Sequence, residues 1–149
     1  MRIIASKLST FWIFVTLNYL YCDVVSLMDS SKLRGFLNGS VGGMDITQQF
    51  LLAAGALVEV PMAMVLVSRL STGRVNSISN IAAGAFMTAV QLATLLAGKP
   101  APYYIFFSAV EIATTAAIVW IAALSLRSQL HAAGVALRRL AGIGERRQA

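Results

Sequence analysis

The sequence predicts an all-α fold: an integral membrane four-helix bundle with cytoplasmic N- and C-termini. Three observations carry that expectation. The chain of 149 residues is 58% hydrophobic and only 12% charged, against about 25% charged in soluble domains. Its apolar residues fall into four blocks near the roughly 20 residues that a spanning helix needs. Its basic residues cluster on one side of those blocks.

Span one is read over Leu8–Met28. Arg2 and Lys7 precede it, as in a signal peptide, but the apolar run is long and no small-x-small cleavage site follows, so a retained helix is expected. Trp12 suits a cytoplasmic interface anchor. Cys22 is the single cysteine, which excludes an internal disulfide and a multi-cysteine zinc site. The connection 29–47 is the longest. It is read as a flexible connector, with a fold back over the outer mouth of the bundle as the alternative.

Span two, Gln48–Ser68, contains Pro61, which cannot donate to the Leu57 carbonyl and should kink the helix beside Glu59. A short polar loop, 69–76, leads into span three, Ile78–Ala97. A turn, Gly98-Lys99-Pro100-Ala101-Pro102, starts span four, Tyr103–Leu126. Such short loops make spans two, three and four antiparallel neighbours. The membrane domain is thus 1–127, and 128–149 is a basic cytoplasmic tail, amphipathic or disordered. Leu130, Ala133, Leu137 and Leu140 recur in it at helical spacing.

Orientation follows from basic residues at span ends. Arg2, Lys7, Arg69, Arg74, Arg127, Arg138, Arg139, Arg146 and Arg147 lie on one side. Lys32, Arg34 and Lys99 lie on the other. This bias accounts for the net charge of +6 without nucleic-acid binding.

Asp23, Glu59 and Glu111 lie inside the spans, although the chain has only six acidic residues. A charged carboxylate at the bilayer centre costs about 2.5–3.5 kcal/mol on insertion scales, so such groups mark sites. Helical spacing puts Trp12, Thr16, Tyr19, Asp23 and Ser26 on one face of span one. The corresponding faces are Gln48, Leu52, Gly55, Glu59, Met62 and Ala63 on span two, and Asn80, Gly84, Met87, Thr88, Gln91 and Thr94 on span three. On span four the face is Tyr104, Phe107, Ser108, Glu111, Thr114 and Thr115. At about 1.5 Å rise per residue, Asp23, Glu59, Gln91 and Glu111 fall within roughly 10 Å of one another in depth.

Glu59, Glu111 and Asp23 are therefore the candidate catalytic groups. A protonated acid paired with a carboxylate can give and take a proton. Tyr19, Gln91, Tyr104, Asn18, Thr88 and Ser108 are the candidate substrate contacts. For Gln91, Thr88, Ser108 and Thr114, hydrogen bonding between helices is the plainer role. No metal site and no cofactor are expected. The only histidine, His131, lies in the tail, which excludes a Ser-His-Asp triad or a histidine-based metal site from the spans. Carboxylates alone could still take a hard divalent cation.

The segments 11–23, 57–64 and 103–111 resemble a family of small bacterial four-helix membrane proteins with no assigned activity. That resemblance implies a multi-pass protein of the bacterial inner membrane and leaves out the tail. The buried acids are more loosely similar to those of sterol isomerase-like proteins and integral-membrane terpene cyclases, with no shared motif. The expected function is an acid–base isomerase or cyclase acting on a lipophilic small molecule within membrane lipid. The alternatives are a proton-coupled transporter or cation-binding protein, for which a homodimer would be needed, and a non-catalytic subunit of a membrane complex.

Overall fold

The computed structural model describes residues 2–96 and 99–148, with side chains described over 3–96 and 99–135. The chain order is α1 (Arg2–Met28), α2 (Ser30–Leu37), β1 (Ser40–Val41), β2 (Met44–Asp45), α3 (Gln48–Leu70), α4 (Gly73–Leu96) and α5 (Pro102–Gln148). Helices α1, α3, α4 and α5 are long and apolar enough to cross a membrane, the character of a multi-pass membrane protein. Large apolar side chains on all four, including Phe14, Leu66, Phe86 and Trp120, are exposed. Lipid covers such a surface where water would not.

Helix α4 packs most extensively on α5, and α1 lies against both α3 and α5. Gly84 explains the close α4–α5 approach. A Cβ there would sit 2.7 Å from Val119 Cγ2 and 3.4 Å from the Thr115 carbonyl oxygen. The expected α3–α4 pairing is weaker than their short connection implied, because α3 packs mainly on α1. The connection itself shrinks to Ser71 and Thr72. Arg69 and Leu70 complete α3, while Arg74 to Ser77 already belong to α4. Asn76 is buried in the first turns of α4. Its Nδ2 donates to the carbonyls of Ser68 (2.6 Å) and Ser71 (3.0 Å), tying off the end of α3.

The apolar core comprises Leu8, Trp12, Val15, Met64, Met87 and Ile118. Trp12 is fully buried rather than an interface anchor. Its indole N–H donates to Asn80 Oδ1 at 2.7 Å. The same oxygen accepts from the Ser68 hydroxyl at 3.0 Å. One amide thereby links three helices, and a buried indole N–H is satisfied.

The 29–47 segment is ordered rather than a flexible connector. Asp29 caps α2, accepting from the Ser31 N–H at 2.9 Å and from the Ser31 hydroxyl at 2.6 Å. The Ser31 hydroxyl and N–H hold the Asp29 carboxyl below the usual carboxylate range. A hairpin follows, pairing Ser40 with Asp45 and Val41 with Met44. Gly42 and Gly43 turn it with φ of +58° and +83°. A two-residue turn of this kind needs positive φ at both positions, which glycine adopts without strain.

Helix α5 continues without a break beyond Arg127 to Gln148, so the basic tail prolongs the fourth long helix. Its glycines weaken a helix without ending it. The side chains of Leu137 and Leu140, on the expected amphipathic face, lie outside the described residues, as does Ala97 at the expected end of span three.

Candidate functional site

Glu111 lies on the face of α5 that meets α1 and α4. That face also buries Ser108, Thr114, Thr115, Ile118 and Ala122, which flank Glu111 at helical spacing. The Glu111 side chain is 1% exposed. Its Oε1 accepts from Asn18 Nδ2 of α1 at 3.0 Å, and the same amide donates to the Phe107 carbonyl at 3.2 Å. Glu111 Oε2 and the Tyr19 hydroxyl are both buried without a hydrogen-bond partner among the described residues. Tyr19 directly follows Asn18, the α1 residue that bonds Glu111. Unsatisfied buried polar atoms are rare in folded proteins, and two in one locality single it out.

Above this centre, a cavity of about 560 Å³ opens under α2 and the hairpin. Asp23, Thr94 and Tyr104 form its inner wall, while Lys32, Phe36 and Met44 contribute from the covering segment. The Tyr104 hydroxyl donates to Thr94 Oγ1 at 2.9 Å. Asp23 is one helical turn from Tyr19. Tyr104 is two turns from Glu111, or about 10 Å along α5. Glu111 and Tyr19 do not line the cavity themselves.

Of the expected catalytic groups, Glu111 is buried beside Asn18, and Asp23 lines the outer cavity. Glu59 is exposed on α3, and every residue of the face expected to be buried there, Gln48, Leu52, Gly55, Glu59, Met62 and Ala63, is exposed too. The buried residues of α3 are Pro61, Met64 and Ser68. The four-group convergence is thus a correction. The reason is that α3 packs chiefly on α1 and presents a different stripe to it. Leu57, Pro61, Met64 and Ser68 follow a four-three-four spacing that the sequence did contain. On α1 the buried face runs Leu8, Trp12, Val15 and Cys22, which leaves Asp23 at the edge with its side chain exposed.

Asn18 stands beside Glu111, Tyr19 follows it in α1 with its hydroxyl buried, and Tyr104 stands in the outer cavity. Gln91, Thr88 and Ser108 have their hydrogen bonding engaged between α4 and α5. Gln91 Nε2 donates to Ser108 Oγ at 2.6 Å, and the Thr88 and Thr115 hydroxyls meet at 2.7 Å. Sequence reasoning missed the Trp12–Asn80–Ser68 junction. A polar residue on three different spans at similar depth was its only signal. Among the described residues, no three His, Cys, Asp or Glu side chains gather as metal ligands.

Fold and site together define a multi-pass helical membrane protein with a buried carboxylate between two of its helices. The chain belongs to the Family of unknown function (DUF6326), whose model matches residues 4–132. Neither a curated protein nor a solved structure matches it.

Proposed function

We propose that the chain is a bacterial inner-membrane four-helix bundle that performs acid–base chemistry on a lipophilic small molecule at Glu111. Both termini face the cytoplasm in this reading, because basic residues concentrate at that side of the spans. The observation that carries the proposal is the pair of unpartnered buried atoms, Glu111 Oε2 and the Tyr19 hydroxyl, below the outer cavity. A membrane protein that needed Glu111 only for packing would satisfy both carboxylate oxygens, since an unmade bond in low dielectric is costly.

In this scheme Asn18 fixes Glu111 through Oε1, which leaves Oε2 to exchange a proton with the substrate. The Tyr19 hydroxyl binds a carbonyl or hydroxyl of that substrate. Asp23, at the mouth, takes or supplies the second proton. One proton added and one removed leaves the substrate's composition unchanged, which is the balance of an isomerisation or a cyclisation. The apolar body of the substrate rests on Phe36 and Met44 in the outer cavity. Glu59 has no part in this scheme.

A second reading is favoured by α3. Its residues 51–56 are exposed all round, as is Glu59, and a helix of a partner subunit would cover them.

The deciding experiment is native mass spectrometry with small-molecule extraction on wild type, Glu111→Gln and Glu59→Gln. The expected result is a lipophilic compound retained by wild type and Glu59→Gln and lost or altered in Glu111→Gln. Its absence from all three, with a partner protein retained, would establish the subunit reading instead.

A further inference from the structure

At the end of the helices opposite the hairpin lies a second cavity, of about 490 Å³, between the start of α1, the α3–α4 connection and α5. It shares no residue with the Glu111 site. Among the described residues, Arg69 is the single charged side chain in its lining, and no carboxylate lines it. Ser71, Thr72, Asn76, Ser77 and Gln129 supply hydroxyl and amide groups around it.

These walls are held in place by hydrogen bonds that use both N–H groups of Asn76 and of Gln129, while Arg69 keeps donors that no described residue takes. Arg69 Nε donates to Ser9 Oγ at 3.2 Å, and the fully buried Ser9 donates in turn to the Val65 carbonyl at 3.1 Å. That contact anchors the guanidinium through one of its five N–H groups. Gln129 Nε2 donates to Ser77 Oγ at 3.2 Å and to Ser125 Oγ at 3.1 Å, and Ser77 is itself 2% exposed. Asn76 is fixed by its two bonds to the end of α3. A wall ordered before binding loses little entropy when a ligand arrives.

The depth of the cavity narrows the ligand further. Arg69 is one residue from the end of α3, where the apolar stretch gives way to polar residues. Ile4 and Ala5 give the cavity an apolar margin on α1. A guanidinium beside the Thr72 and Ser77 hydroxyls, with no acid among the described lining residues, matches a tetrahedral oxyanion that accepts several donors at once.

We propose that this cavity binds a phosphate group through Arg69, carried either by an anionic lipid headgroup or by a soluble phosphate. The test uses the detergent-purified full chain with two probes, dioleoylphosphatidylglycerol in mixed micelles and inorganic phosphate against sodium chloride of equal ionic strength. Binding is read by native mass spectrometry and by the thermal unfolding midpoint. Arg69→Gln should weaken binding by about ten- to a hundredfold, the weight of a charge-assisted contact.

Thr72→Glu places a like charge at the exposed rim just before α4. An acid there favours the helix dipole, so the variant folds even if Arg69→Gln does not. It should weaken binding as well. Arg127→Gln, outside the cavity, should leave binding unchanged. Retention of the lipid with no response to inorganic phosphate assigns the site to a headgroup. A midpoint raised by inorganic phosphate alone assigns it to a soluble ligand. Equal binding by wild type and Thr72→Glu, or equal losses in Arg69→Gln and Arg127→Gln, would overturn the proposal.

Discussion

Replacing Asn80 by alanine should be among the most damaging single changes in this protein, although Asn80 lies away from Glu111. Its Oδ1 accepts from Trp12 Nε1 at 2.7 Å and from Ser68 Oγ at 3.0 Å. Its Nδ2 donates to the Asn76 carbonyl at 2.9 Å. After truncation the Ser68 hydroxyl can turn to a carbonyl one helical turn back, as Ser71 already does to Val67. The Trp12 indole N–H has no such option, because it sits fully buried between helices. An orphaned buried donor costs about 1–3 kcal/mol. Interhelical hydrogen bonds in membrane proteins average about 0.6 kcal/mol, with a maximum near 1.7, since the unfolded reference also finds partners.

Combining these with the small void left by the amide gives an expected loss of about 2–3 kcal/mol for Asn80→Ala. The coupling to Trp12 is expected at about 1–1.7 kcal/mol, near the top of the range because of its burial. It is measured by a double-mutant cycle of Asn80→Ala with Trp12→Phe, using reversible unfolding in mixed micelles of rising SDS fraction. Independent sites add within about 0.3–0.5 kcal/mol. A coupling inside that margin would refute the argument that this bond, and not burial of the ring, holds α1 to α4.

Three further outcomes are expected. Gly84→Ala forces a Cβ to 2.7 Å from Val119 Cγ2; overpacking of about 1–3 kcal/mol should outweigh the roughly 1 kcal/mol of helix propensity gained. Adding Val119→Ala should restore part of that loss in the same unfolding assay. Glu59→Leu should insert and accumulate at least as well as wild type, because Glu59 is exposed on an apolar helix; a loss as large as that of Glu111→Leu, in a membrane-insertion assay, would show that Glu59 is packed inside after all. The Asp29 cap of α2 titrates with a lowered folded value, so its stabilisation is complete above the unfolded value near pH 4 and fades as pH falls through the lower folded one. Amide protection in α2 should therefore differ between wild type and Asp29→Ala at neutral pH and converge in strong acid.

The buried faces of α4 and α5 were legible because polar and small residues interrupt their apolar runs at helical spacing. Asn80, Gly84, Met87 and Gln91 on one helix, and Ser108, Glu111, Thr114 and Thr115 on the other, are buried as the periodicity implied. Helix α3 was not legible in the same way. Leucine, valine, alanine and methionine surround it on every side, and a lipid-facing side chain looks the same in sequence as a core one. Placing Glu59 inward followed from the cost of exposing an acid to lipid. The fold instead exposes it, and the packing stripe is the run from Leu57 to Ser68. Tyr19 shares a helical face with Asp23, and Asn18 precedes it in the chain. The approach of Asn18 to Glu111 depends on how α1 is rotated against α5, which no local pattern specifies.

The sequence by itself determined that the chain is helical, that four of its helices can cross a membrane, and which acids stand within them. Hydropathy and helical period are properties of neighbouring residues, so one chain is enough to read them. Only the tertiary structure decided which acid is enclosed, because enclosure depends on the partners and rotation of each helix. It set Glu111 against Asn18, left Glu59 on an open face, and folded the 29–47 segment into a helix and hairpin over the outer cavity. In a bilayer the apolar effect does not pull helices together, so close fits such as Gly84 on Val119 and single bonds such as Trp12 to Asn80 make that choice.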